Sequence, residues 1–126
     1  MFNSEKLLVY SKAKEFNLEI KTEILSIEKL DRSAKDQLRR AVMSIMLNIA
    51  EGTSRFGDAD KRKFYVIARG RAIECVAILD LLSAEKIISI ETYNKFYAKA
   101  EEISKRLYGM IRFLEPKKQN WNSVGV

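Results

Sequence analysis

The sequence predicts an all-α fold, an antiparallel up-down-up-down four-helix bundle in a single domain. Three observations carry this expectation. Apolar residues recur at alternating spacings of three and four in four separate stretches, which is the period of a buried helix face. Capping residues fall between those stretches. Only five glycines and one proline interrupt the 126 residues, so long runs are left free for helix. No stretch shows the alternation of a half-buried strand.

The first helix is expected over residues 4–28, with Val9, Ala13, Phe16, Ile20, Ile24 and Ile27 on its buried face and Asn3 or Ser4 as its cap. The second is expected over 32–56. Asp31 or Ser33 can cap it, and Leu38, Ala41, Val42, Ile45, Met46 and Ile49 face inward. Gly57 suits the left-handed position that ends a helix, and Asp58 can cap the next one at once, so helices two and three form a tight hairpin. The third helix, over 59–85, carries Tyr65, Ala68, Ala72, Cys75, Leu79 and Leu82. Ser89 caps the fourth, over 90–115, with Ile88 and Tyr93 as a hydrophobic staple and Ala100, Ile103, Leu107, Met110 and Leu114 as its seam. Pro116 marks the end of the bundle domain, 1–115. Residues 116–126 have no periodicity and are expected to be a mobile basic tail containing Trp121, which could stack on a base.

Composition narrows the function. With no histidine, the chain lacks the commonest general base, the commonest metal ligand and any Ser/His or Cys/His pair. The single cysteine, Cys75, permits no internal disulfide, fits a reducing compartment and lies on an apolar seam as a small core residue. Glu5 and Lys6 break the start before it could read as a secretory leader. The longest apolar stretch, residues 41–50, is about half of the ~20 residues a membrane span needs. The expectation is a cytoplasmic, non-enzymatic protein with no metal, no cofactor and no membrane partner.

Two helices are too apolar for an ordinary surface. Between 41 and 50 only Ser44 and Asn48 are polar, and between 75 and 82 only Asp80 is. A helix with one exposed side keeps a wide polar face, so this excess points to a subunit interface, against the alternative of tight burial within one protomer. Ser44, Asn48, Glu51 and Arg55 follow one another at helical spacing, and Arg40 extends that stripe by a turn. With Arg69, Arg71 and Glu74 on the third helix, they could meet across the hairpin. Arg40, Asn48, Glu51, Arg69 and Glu74 are read as a structural polar network, buried and mutually satisfied. The functional alternative is a Glu51–Glu74 carboxylate pair for acid/base or metal chemistry, although a di-metal bundle needs more carboxylates and usually Glu-x-x-His motifs.

The net charge of +6 is unevenly placed. Residues 29–40 hold five cations against two carboxylates, and residues 55–71 hold six against two, a footprint that polyanion binding leaves. The alternative is a solubilising surface. Lys61, Arg62 and Lys63 open the third helix, where cations oppose the helix dipole unless an anion or a carboxylate such as Asp58 or Asp60 neutralises them. Arg39, Arg55, Lys61, Arg62, Lys63, Lys105 and Arg106 are the candidate nucleic-acid contacts, expected to be at least partly exposed.

Asp36-Gln37-Leu38-Arg39-Arg40-Ala41, followed by Ser44-Ile45 and Asn48-Ile49-Ala50-Glu51-Gly52, resembles the bacterial four-helix-bundle family encoded by intervening sequences in 23S ribosomal RNA genes. Ala68-Arg69-Gly70 with Glu74 is similar to that family's second motif. Val9-Tyr10 with Ala13, and Gly109-Met110-Ile111 with Leu114, look like its flanking elements. The likeness runs from about Leu7 to Leu114. It departs where the family often has Phe-Pro before helix two, and at Arg71, where Ser is common. The resemblance implies an assembly into a ring, commonly a pentamer. It also implies kinship with the accessory variability determinant proteins of diversity-generating retroelements, which are basic pentameric barrels that bind nucleic acid and a reverse transcriptase. The expected partners are therefore further copies of this chain, RNA or DNA, and a reverse transcriptase or other protein. A role in docking a partner protein, without nucleic acid, is the alternative.

Overall fold

The structure, a computed structural model, describes residues 4–117. Four helices follow one another: α1 (Ser4–Glu23), α2 (Arg32–Ser54), α3 (Asp58–Ala84) and α4 (Ile90–Phe113). Among the described residues there is no strand. Each helix packs on its two neighbours, α1 on α2 and α4, and α3 on α2 and α4, with no close backbone approach across either diagonal. That is the square plan of an up-down-up-down bundle, and its connections are short, as antiparallel neighbours allow. The predicted tail residues from 118 onward, Trp121 among them, lie outside the described residues.

The core is the set of residues that the helical period selects. Val9, Ala13, Phe16 and Ile20 of α1 meet Leu38, Ala41, Val42, Ile45 and Ile49 of α2 and the six expected positions of α3. Phe96, outside the expected seam, is also fully buried and stacks edge-on against Phe16 at 6.0 Å between ring centroids. Among the described residues the core holds no buried polar or charged residue. Packing is tightest between α2 and α3, where Gly52 lets the helices close: a Cβ there would stand 2.7 Å from Cε1 of Tyr65. Tyr65 is fully buried and shares a hydrogen bond of 3.0 Å with the Thr53 hydroxyl, so its one polar atom is satisfied.

The caps explain most boundaries and correct two. Asp31 accepts from the Ala34 N–H at 3.3 Å and Ser89 accepts from the Thr92 N–H at 3.1 Å, both at helix starts. The first correction is α1, which stops at Glu23 and not near Glu28. The Ile24 and Leu25 N–H groups both donate to Ile20 O, and the turn that follows buries Ile24, Leu25 and Leu30 together, which a continued helix would splay around its axis. The second is Gly57, which is extended at φ −85° and takes the cap position before α3, leaving Asp58 as the first helical residue. The third helix ends at Ala84, as expected, without a glycine. Ile87 N–H donates to Leu82 O and Lys86 N–H to Ser83 O, so Lys86, at φ 60°, occupies the left-handed position expected of a glycine.

Candidate nucleic-acid interface

The up-down course brings the start of α1, the α2–α3 connection and the end of α4 to one end of the bundle. Cations from three helices meet there. Lys61 Nζ donates to Thr53 O at 3.1 Å, which ties the start of α3 to the last turn of α2. Arg62 Nη1 donates to Leu114 O at 2.6 Å and so serves a carbonyl that the end of α4 leaves open. Lys6 of α1 stands beside Lys61. Desolvation first, and then the Lys6 charge, hold the Lys61 ammonium below the ordinary lysine range. Lys63 and Arg55 both reach over the Phe64 ring, at 5.5 and 4.7 Å from its centroid. Two aromatic side chains stand out in solvent at this end, Phe56 fully and Phe113 at 88% exposure. Cations interleaved with exposed rings are what a single-stranded polyanion requires.

The other candidate cations lie elsewhere or are engaged. Arg39 pairs with Asp36 at 2.9 Å near the opposite end of α2, about 24 Å along the helix axis from Arg55. Lys105 has a loose pair with Glu101 at 3.7 Å and remains largely exposed. Arg106 is held by Glu5 and Glu102, both at 3.2 Å. It belongs to a ladder that closes α1 on α4, continued by Lys12–Glu102 at 3.1 Å, Glu19–Lys99 at 3.3 Å and Glu23–Lys95 at 2.6 Å. The sequence reading missed this ladder, although Lys95, Lys99, Glu102 and Arg106 fall at spacings of four, three and four and form one stripe. It also missed Lys6, Phe56 and Phe113. Their signal was apolar or charged residues at helix ends, off the period of the core.

The expected buried network resolves, within the protomer, into local and half-exposed pairs. Glu51 takes Arg55, the residue that follows α2, at 2.6 Å, and Glu74 takes Arg71 of its own helix at 3.0 Å. Asn48 donates to Ser44 O and Oγ and stays within α2. Arg40 and Glu74 do line one groove between α2 and α3, of about 350 Å³, together with Ser44 and Arg71. Arg69 turns the other way, into the groove between α3 and α4, where its guanidinium lies 5.4 Å from the Tyr108 ring centroid. The reason is angular. Residues 69 and 74 are five apart, so about 140° separates them around the helix, and one cannot join the other's groove. Cys75 is buried, and burial pushes its thiol up to about 12, which leaves no thiolate for nucleophilic chemistry.

The family model described as the 23S rRNA-intervening sequence protein matches residues 5–109. The chain belongs to that family. The bundle is also similar to a crystal structure of a protein of unknown function from the S23 ribosomal protein family of Bacteroides thetaiotaomicron. The two share 28% of their sequence with a TM-score of 0.80, over 86% of this chain and 98% of that one. A comparison with curated proteins finds no match.

The two sequence motifs have separable physical roles. Of Asn48-Ile49-Ala50-Glu51-Gly52, Ile49 fills the core and Gly52 permits the α2–α3 approach. Of Ala68-Arg69-Gly70, Ala68 is buried, while a Cβ at Gly70 would meet nothing within 4 Å. Nothing inside the protomer requires a glycine there, although one in mid-helix costs about 1 kcal/mol relative to alanine. Gly70 lies on an outward stripe of α3 with Val66, Ile73, Ala77 and Leu81, and the three large side chains are each more than half exposed. Met43 and Leu47 are exposed on α2. The apolar excess noted in the sequence therefore faces outward. None of the described helices is long and apolar enough to cross a membrane.

Proposed function

We propose that the protein acts without catalysis, as a cytoplasmic homo-oligomer that holds RNA or DNA backbone by charge. The observation that carries the reading is the convergence of Lys6, Arg55, Lys61, Arg62 and Lys63 on one end of the bundle beside exposed Phe56 and Phe113. Half-exposed ion pairs such as Arg55–Glu51 contribute little and can exchange a carboxylate for a phosphate. The outward apolar stripe of α3 supports assembly, because contiguous exposed apolar surface of this kind marks contact sites. A pentamer is the number that the family resemblance favours, and a reverse transcriptase is the protein partner that it suggests.

The test is a salt titration of binding to single- and double-stranded RNA and DNA. Charge-led binding weakens steeply from low to physiological salt and hardly distinguishes sequences. The same α3 stripe favours a second reading, a module that docks a partner protein through one helical face. Weak binding to every nucleic acid at physiological salt by the intact oligomer would put that reading first.

A further inference from the structure

Beside the basic end lies a cleft of about 440 Å³ whose floor and walls are Tyr65, Met110, Phe113 and Leu114. Gly109 lines it without a side chain, and a Cβ added there would meet nothing within 4 Å. Its rim is charged: Lys6 and Lys105 stand at the edge, and Glu5, which would repel an anion, is occupied by Arg106. The size is that of a small-ligand pocket, mostly apolar with a few polar groups at one side. Such a site takes a flat or chain-like apolar body that carries negative charge.

Two features narrow that class to a nucleotide. The cations do not stop at the rim: Lys61, one helical turn before Tyr65 and beside Lys6, adds a third, more than a ligand with one anionic head could use. An exposed aromatic ring, Phe113, forms the outer wall, and the lining offers no side-chain amide to read a base edge. That combination suits stacking without sequence preference. We propose that the cleft receives one unstacked base of a single-stranded nucleic acid, against Phe113 and Met110, while the flanking phosphates lie on Lys6, Lys61 and Lys105. A paired base cannot enter without leaving its stack, so the protein should prefer single strands to duplexes. This inference rests on the nucleic-acid reading above.

The test measures binding of the full chain, at one fixed salt concentration, to a single-stranded oligonucleotide, its duplex, an abasic strand of equal length and a nucleoside monophosphate. The single strand is expected to bind about tenfold or more tighter than the duplex and the abasic strand, the magnitude of one stacked base. Gly109→Leu should fill the cleft and remove that preference, and Phe113→Ala should reduce it. Gly109→Ala, which leaves room, should keep it. Both positions are exposed or open, so melting temperatures report whether the fold is intact. Equal binding of strand, duplex and abasic strand, unchanged in Gly109→Leu, would overturn the cleft proposal and leave charge-led binding standing. No binding of any strand would overturn both. A nucleoside monophosphate that binds as tightly as the strand would make the free nucleotide the ligand and overturn the assignment to a strand.

Discussion

At Gly52 a missing methyl group sets how closely α2 and α3 approach. The Tyr65 ring that a Cβ would strike cannot swing aside, because it is fully buried and tethered through its hydroxyl to Thr53. Gly52→Ala should therefore destabilise the bundle by about 1–3 kcal/mol, as overpacking does. Gly109→Ala, on an open helical site, should instead stabilise it by up to about 1 kcal/mol. Opposite signs for one substitution in thermal melts would separate the steric role of Gly52 from helix propensity, and a neutral Gly52→Ala would refute the close-approach argument. Lys86 poses the reverse case, since it holds a left-handed conformation without being glycine. That strain costs roughly 1–2 kcal/mol, against about 0.5–1 kcal/mol for the greater unfolded freedom of glycine. Lys86→Gly should raise the melting temperature slightly, and a lowered one would show that the Lys86 side chain stabilises the turn by more than the strain.

Within the elements, apolar periodicity was legible because burial alone decides it. The six positions expected for α3 are its buried set, and Asp31 and Ser89 cap as their side-chain chemistry dictates. What was not legible depended on a choice between local alternatives. Ile24 and Leu25 could have continued α1, yet burying both with Leu30 in a turn wins, and no glycine or proline announces it. The helical period alone excludes Arg69 from Glu74's groove, whereas it leaves open whether Glu51 reaches across to α3 or takes Arg55 beside it, and the local pair wins. Of the basic end, the α3 cations were visible in the sequence, while Lys6, Phe56 and Phe113 join them only through the topology. The α1–α4 ladder gives a pH prediction. Hydrogen bonds from Lys12 and then Arg106 hold the Glu102 carboxyl below the usual carboxylate range. A carboxyl lowered on folding contributes stability above its unfolded value, about 4.3, and loses it as pH falls through the lower folded value. Thermal stability should thus decline in acid below that value, and Glu102→Gln should lose part of the decline. If the two acid profiles were parallel, the ladder would not be coupled to folding in this way.

Across the whole molecule, the outward stripe of α3 starts at Val66, next to the basic end, but its middle at Ile73 lies about 15 Å along the helix axis from Lys63, so the proposed assembly and the proposed polyanion binding can be perturbed separately. One protomer presents a modest cluster of cations, several of them already neutralised by carboxylates. A ring of protomers would repeat the cluster about its axis and build a continuous positive field, which makes affinity depend on assembly. Ile73→Glu places a charge in the middle of the apolar stripe without touching the core, since Ile73 is half exposed. Light scattering should then show smaller species than the wild type at the same concentration, with an intact helical spectrum. Nucleic-acid affinity should fall with the loss of assembly, and the slope of affinity against salt should become shallower as fewer phosphates are neutralised per particle. Lys63→Glu should act the other way, weakening binding while the oligomer persists, because a surface change of this kind shifts stability by less than about 0.5 kcal/mol. Arg62 is a poor choice for that test, as its guanidinium serves the Leu114 carbonyl at the end of α4. If Ile73→Glu separates the protomers and the affinity does not change, charge on a single bundle suffices and the ring contributes nothing to binding. A wild-type chain that is already monomeric at high micromolar concentration would remove the oligomer from the proposal and leave the stripe for a different partner.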